Sequence, residues 1–369
     1  MGLNCGIVGL PNVGKTTIFS ALTSTPAEAA NYPFSTIKPN IGIINVPDER
    51  LYKIASIFKP KKTTPAVVEF VDIAGLAQGA SRGEGLGNKF LSHIRQVGVI
   101  VHVVRCFTND DVTHVSGKID PASDIDIINI ELSLADLETV EKRKEKLEKL
   151  LKGATKDSGK ETRALLELLE KLREELGNGI PARLLGFTEE QIALISDLHL
   201  LTMKKQIYVC NVDEEVLRTG SKHIDAVKEH AEKEGTLAIP ICGKLEADIA
   251  LLETAEERAE FLKEAGLEES GLTKLIHSGY NLLGLRTYFT AGDPEARAWT
   301  FYDGDKAPRA ASVIHTDFEK GFIRAEVYHY DDLAKYGTEQ KVKEAGKFRV
   351  EGKEYLVKDG DIMHFRFNV

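Results

Sequence analysis

Short, continuous apolar runs punctuate the chain: Cys5 to Val8, Ile41 to Val46, Val67 to Asp72, Val99 to Arg105, Gln206 to Cys210 and Leu237 to Ile241. Runs of this length, bounded by Gly, Pro and polar residues, predict strands buried on both faces, as in a mostly parallel sheet. Helix-compatible Ile18, Phe19, Ala21 and Leu22 follow the first run. From about Ile130 the period changes. Ile130, Leu134, Leu137, Val140, Leu147 and Leu150 recur at helical spacing, a polar break spans Gly153 to Gly159, and Leu165, Leu168, Leu169, Leu172 and Leu176 repeat the pattern. This predicts an antiparallel helical hairpin with a coiled-coil-like seam. Thr188-Glu189-Glu190-Gln191 reads as a capping box opening a further helix.

Because strand-like runs resume at Gln206, the hairpin is an insertion into one α/β domain. Glu253 to Ala265 reads as a helix. From Tyr280 the pattern is short strands, among them Arg297 to Phe301, Ala311 to His315, Ile323 to Tyr328 and Ile362 to Phe367, with a short helix over Tyr330 to Tyr336. The expected organisation is an α/β nucleotide-binding domain (1–128 and 204–277), an inserted helical arm (129–203) and a β-rich module (278–369).

Composition narrows the class. With 369 residues the chain is too long for one ordinary domain, and 42% apolar with 28% charged residues is globular. No apolar run approaches twenty residues, so no membrane-crossing helix is expected. Met1 to Gly6 lacks the basic head and apolar core of a secretory leader, and Gly6 breaks the myristoylation pattern. Cys5, Cys106, Cys210 and Cys242 show no C-x-x-C spacing, which speaks against zinc and for reduced thiols in a cytoplasmic protein. The net charge of −9 argues against a broad DNA-binding surface. From Ser278 onward 14 lysines and arginines meet 15 acids, so nearly all the negative charge precedes that point.

The chemistry centres on Gly9-Leu10-Pro11-Asn12-Val13-Gly14-Lys15-Thr16-Thr17, which fits G-x-x-x-x-G-K-[ST] between a strand and a helix. Gly9 and Gly14 let the backbone wrap a polyphosphate with its N–H groups inward. Lys15 supplies a point charge for the β/γ-phosphates, and the Thr16 hydroxyl is placed to ligate Mg²⁺. In the following Pro-containing loop, Thr36 is the candidate second Mg²⁺ hydroxyl. Asp72-Ile73-Ala74-Gly75 ends a strand. Asp72 would hold Mg²⁺ through water and the Gly75 N–H would meet the γ-phosphate. Leu76 stands where many such switches carry a Gln that orients the attacking water, and Leu cannot hydrogen-bond water. His102 sits inside an apolar strand and reads as a core histidine, whereas His114 lies in a polar loop.

Asn211-Val212-Asp213-Glu214 occupies the place of the guanine-reading Asn-Lys-x-Asp. Glu214 replaces the Asp and is one methylene longer, which displaces the bidentate fit to guanine and removes discrimination worth several kcal/mol. Gly243, in Cys242-Gly243-Lys244, lies where a backbone loop covers the base.

These motifs together resemble the Obg-like ATPases of the YchF type, among the translation-factor-related phosphate-loop NTPases. The likeness rests on GLPNVGKTT from Gly9, NYPFSTIKP from Asn31, DIAGL from Asp72, GASRGEGLGNKFL from Gly79 and NVDE from Asn211. It implies a C-terminal TGS module of ubiquitin-like β-grasp shape, and slow Mg²⁺-dependent hydrolysis of ATP in preference to GTP. It further implies that Asn12, Val13, Gly14, Lys15, Thr16 and Thr17 bind phosphates, that Val212 contacts adenine through its backbone, and that His114 is the catalytic histidine. Asn12 resembles the Asn that binds K⁺ in related enzymes, and the resemblance implies association with the ribosome or its RNA. Two other readings stay open: a GTPase, or a nucleotide-gated scaffold with incidental hydrolysis.

Overall fold

The computed structural model describes residues 4–24, 40–73, 86–108, 119–151, 160–252 and 254–368. The chain begins β1 (Asn4–Val8), α1 (Lys15–Thr23), β2 (Ile41–Asn45), α2 (Glu49–Phe58), β3 (Lys62–Thr64) and β4 (Val67–Asp72). It continues α3 (Leu86–Gln96), β5 (Val99–Arg105), α4 (Pro121–Leu151), α5 (Lys160–Gly177), α6 (Glu189–Ile195), β6 (Lys205–Asn211), α7 (Glu214–Thr219), α8 (Lys222–Lys233) and β7 (Ala238–Ile241). Then come α9 (Gly243–Ala250), α10 (Ala255–Glu264), α11 (Gly271–Leu282), β8 (Leu285–Ala291), β9 (Glu295–Tyr302), β10 (Phe322–His329), β11 (Arg349–Glu351) and β12 (Asp361–Phe367). These residues fall into two compact units, one within Met1–Thr25, Thr36–Gly42 and Glu69–Lys274, the other within Ile43–Val68 and Leu275–Val369.

The first unit is organised by a sheet in the order β2-β4-β1-β5-β6-β7. β4, β1, β5, β6 and β7 run parallel in succession. All seven residues of β5 are buried, which is what a strand covered by helices on both faces requires. The insertion packs α4 against α5 through Val140, Leu147, Leu168, Leu169, Leu172 and Leu176. Ile130, Leu134 and Leu150, expected on that seam, are exposed at 50%, 43% and 68%. The helix starts at Pro121, and its length lets only part of the apolar stripe meet a partner. The capping box at Thr188 is present in full: Thr188 Oγ1 accepts from Gln191 N and Gln191 Oε1 accepts from Thr188 N.

One buried polar assembly ties the insertion together and a second links it to the sheet. The carboxylate of Asp136 in α4 accepts from Leu201 N (2.8 Å), Thr202 N (2.7 Å) and Thr202 Oγ1 (2.7 Å). Arg183, which follows α5, donates twice to Glu234 (2.8 and 2.9 Å), and the Tyr208 hydroxyl of β6 donates to the same carboxylate at 2.8 Å. Burial opposes the charge on Glu234, yet His230, Arg183 and Tyr208 together pull its pKa down to about 2. Beside them His102 is a core histidine as expected, its ring 5.5 Å from that of Tyr208.

In the second unit the sheet order is β11-β10-β12-β8-β9-β3. β12 lies parallel to β8 at its centre, and the β8–β9, β10–β12 and β10–β11 pairs are antiparallel. First and last strands of the module side by side in the middle is the β-grasp arrangement that was expected. Tyr288, Phe301, Phe322, Val327, Val357 and Met363 form its core. The stretch Ala311 to His315 is not a strand. Ala307–Ala311 and Thr316–Lys320 are short helices, the first with Pro308 in its opening turn, because three alanines there pack as a helix against large core side chains.

The unit also takes in residues far from the C-terminal module. β3 pairs in parallel with β9, Lys62 opposite Glu295 and Thr64 opposite Arg297. In α2, Arg50 binds Asp48 (2.8 Å) and Asp359 (2.6 Å). Among the described residues no helix is long and apolar enough to cross a membrane.

Candidate nucleotide-binding site

β1 delivers the chain to the C-terminal edge of the parallel sheet, where the loop Gly9–Gly14 turns it into α1. Two glycines there answer to specific crowding. A Cβ on Gly9 would lie 2.5 Å from the Val103 carbonyl oxygen. Gly14 has φ +90°, and a Cβ on it would lie 2.1 Å from Asn211 Nδ2. Neither position can carry a side chain.

Lys15 opens α1 and is buried. Its ammonium donates back to the carbonyls of Gly9 and Leu10, at 3.2 Å each, so the cation is held within the curve of its own loop. Burial lowers its pKa, and the charge of Asp72 works against that fall. Conversely, burial raises the pKa of Asp72 while Lys15 opposes the rise. The two expected phosphate-side groups therefore share one electrostatic environment. Asp72 Oδ1 is buried without a hydrogen-bond partner among the described residues. A buried carboxylate oxygen with no donor suits a cation or its bound water. Thr16, one residue beyond Lys15, keeps its side chain exposed, as does Thr17. Among the described residues no cluster of three or more His, Cys, Asp or Glu could hold a metal. A single carboxylate with hydroxyls and phosphate is instead the way Mg²⁺ is usually held.

The residues expected on the base side lie at the end of β6 and at the starts of α7 and α9. Asn211, at the end of β6, is buried and its Nδ2 donates to the Val13 carbonyl at 2.9 Å. Val212 is buried in the core with its N–H given to Ile241 O at 3.0 Å, so a backbone contact to a base can be made only by its carbonyl. Glu214 is the first residue of α7, and its carboxylate pairs with Arg218 one turn on at 3.0 Å. Gly243 opens α9 against α1, where a Cβ would lie 3.0 Å from Thr17 Cγ2. Asn12, Val13, Gly14, Lys15, Thr16, Thr17, Asp72, Asn211, Val212, Glu214 and Gly243 thus all belong to the first unit. Thr36, Gly75, Leu76 and His114 lie outside the described residues.

One buried contact behind the site went unread in the sequence. Glu246, buried in α9, accepts from the N–H groups of Gly271 (2.6 Å) and Leu272 (3.3 Å), and so caps α11 from a distance. Its clue was small: α11 opens on Ser270-Gly271, a start with no acidic residue in its first turn.

Comparison with known proteins agrees with this geometry. Residues 4–157 match the family model described as a 50S ribosome-binding GTPase. Residues 285–368 match YchF-GTPase_C, described as a protein of unknown function (DUF933). The "Ribosome-binding ATPase YchF" of Bacillus subtilis is 56% identical over 371 residues, covering 100% of both chains. That of Escherichia coli O157:H7 is 54% identical over 369 residues, again covering 100% of both. The solved structure of the Schizosaccharomyces pombe YchF GTPase superposes with a TM-score of 0.89 at 42% identity, covering 99% of this chain and 98% of its own.

Proposed function

Since the chain belongs to the YchF family, we propose that it is a ribosome-binding ATPase: a cytoplasmic switch protein that binds ATP in preference to GTP and hydrolyses it slowly to ADP and phosphate. One observation carries the choice of base. The phosphate loop is intact, but at the base-reading corner Glu214 is already engaged by Arg218, 3.0 Å away. That exposed pair is weak, so the longer Glu side chain, which misses the bidentate fit to the guanine edge, carries the discrimination, while its turn onto α7 leaves room for the ring nitrogen that adenine presents as an acceptor.

The residues present fit Mg²⁺. Thr16 and Thr36 would offer hydroxyls, and Asp72, with its undonated Oδ1, would act through water. Bound there, the ion neutralises charge on the β- and γ-phosphates. Asn12 is the residue to which K⁺ would bind. The chain's own contribution begins with the amides of residues 12–17, which wrap the phosphates. Lys15 exchanges its two carbonyl partners for phosphate oxygens. The Gly75 N–H meets the γ-phosphate. Leu76 leaves the attacking water unoriented, a task that falls to His114, and hydrolysis is accordingly slow.

Calorimetric competition of ATP against GTP tests the base preference: ATP binds more tightly, and tighter GTP binding overturns the reading of Glu214. Sedimentation with ribosomes in ATP, in ADP and without nucleotide tests the partner, with binding that depends on the nucleotide as the expected result. His114→Ala slows turnover with little change in ATP affinity, and an unaltered rate removes His114 from the mechanism.

A further inference from the structure

From Leu51 to Val68 the chain carries four lysines and no carboxylate, although over its whole length Asp and Glu outnumber Lys and Arg by 57 to 48. Lys53, Lys59, Lys61 and Lys62 are all exposed. The fold does not leave this stretch as a free loop. β3 forms the outer strand of the second sheet, joined on its inner side to β9. Beside it on β9, the Arg297 guanidinium lies 3.9 Å from the centre of the Trp299 ring, and Trp299 Nε1 donates to Thr290 Oγ1 at 2.9 Å. Two acids lie beside it in the same ladder. Glu295 accepts from Thr64 Oγ1 at 2.5 Å, and the main-chain carbonyl of Asp293 accepts from Lys61 N at 3.0 Å.

Lysines on an outer strand keep it from pairing with another chain. That duty can fall to Lys62 in β3, whereas Lys53, Lys59 and Lys61 precede the strand. Lys53 in α2, Lys59 and Lys61 between α2 and β3, and Lys62 in β3, with the stacked Arg297 on the neighbouring strand, give positive charge that matches the regular negative charge of a nucleic-acid backbone.

We propose that this edge of the second unit, made of Lys53, Lys59, Lys61 and Lys62 with Arg297, docks against the phosphate backbone of ribosomal RNA. The proposal rests on the ribosome-binding reading above and assigns it a surface. The contact is electrostatic and indifferent to base sequence, and it weakens steeply with salt.

The test uses the full-length chain with ATP. Two triple variants, Lys59→Gln/Lys61→Gln/Lys62→Gln and the corresponding change to Glu, are sedimented with ribosomes over a series of salt concentrations. Each phosphate contact contributes about 0.7–0.9 to the slope of log affinity against log salt, so the Gln variant loses roughly 2 from that slope. The Glu variant binds at least about tenfold more weakly, in keeping with the loss of several such contacts. Ribosome-free ATP hydrolysis and thermal midpoint stay at wild-type values in the Gln variant. Wild-type affinity and slope in both variants overturn the proposal. Should purified ribosomal RNA fail to compete for the wild-type chain while the variants still lose ribosomes, the partner is an acidic ribosomal protein and the RNA assignment falls. If the wild-type chain does not sediment with ribosomes in any nucleotide state, the ribosome-binding reading itself fails, and this surface with it.

Discussion

The carboxamide of Asn211 reaches 198 residues back along the sequence to donate to the Val13 carbonyl at 2.9 Å. It does so by passing over Gly14, whose missing side chain leaves the room. The strand end proposed to read the base thereby holds the proposed phosphate loop in shape, and the two halves of the candidate site are one hydrogen-bonded object. Gly14→Ala would place a methyl 2.1 Å from Asn211 Nδ2 at a backbone angle that L-residues avoid. It is expected to abolish ATP binding in calorimetry. Asn211→Ala frees the loop with no clash and is expected to weaken binding by about 1–3 kcal/mol, the cost of leaving a buried carbonyl unpaired.

Lys15 is held ready by the Gly9 and Leu10 carbonyls. Lys15→Ala removes a charged partner of the phosphates, worth roughly 1.5–3 kcal/mol. ATP affinity measured by equilibrium binding should fall about 10- to 100-fold, and an unchanged affinity would mean that the loop is purely structural.

Stability should have an acid limb to which one fully buried histidine is the largest histidine contributor. Burial pushes the pKa of His102 down from its ordinary 6.5 to about 3, against the pull of Glu234. Between those values the unfolded chain binds a proton that the folded chain refuses. Stability at this site is therefore complete above pH 6.5 and drains away as the pH falls toward 3, at up to about 1.4 kcal/mol per pH unit. Glu234, lowered to about 2 from 4.5, adds a second loss below pH 4.5. Urea midpoints taken from pH 7.5 to 5 should fall less steeply in His102→Leu than in the wild-type chain, and an identical pH slope in the two would remove His102 as a source of the acid limb.

Glu246 offers a purely structural test. Burial raises its pKa, while the amides of Gly271 and Leu272 favour the ionised form. Glu246→Ala leaves two N–H groups at the start of α11 without their acceptor, and the unfolding free energy should drop by about 1–3 kcal/mol. Amide exchange at Gly271 and Leu272 should quicken in the same variant, and unchanged protection there would refute the capping role.

Much of this molecule could be read from the order of its residues. Short continuous apolar runs bounded by turn residues fit strands buried on both faces, and β1, β5 and β6 are such strands, whereas β4 and β7 alternate buried with half-buried residues. G-x-x-x-x-G-K-T after the first of them carries its own chemistry, because a phosphate cradle is local in sequence. The helical repeat betrayed the insertion, and Thr188 announced its capping box. Interactions between distant segments were out of reach. A three-residue strand such as β3 has too little pattern to show itself, and its place in the second sheet depends on an edge presented by β9, more than two hundred residues later. Helical spacing could not say which apolar residues of α4 meet a partner, so Ile130, Leu134 and Leu150 look in sequence like Val140 and Leu147 yet face solvent. Alanine-rich 307–311 became a helix because large side chains of the neighbouring strands left room for small ones. Local pattern decides which elements form, whereas the pairing of Asn211 with Val13, of Glu246 with α11 and of Glu234 with Arg183 waits on the fold that brings them within hydrogen-bonding distance.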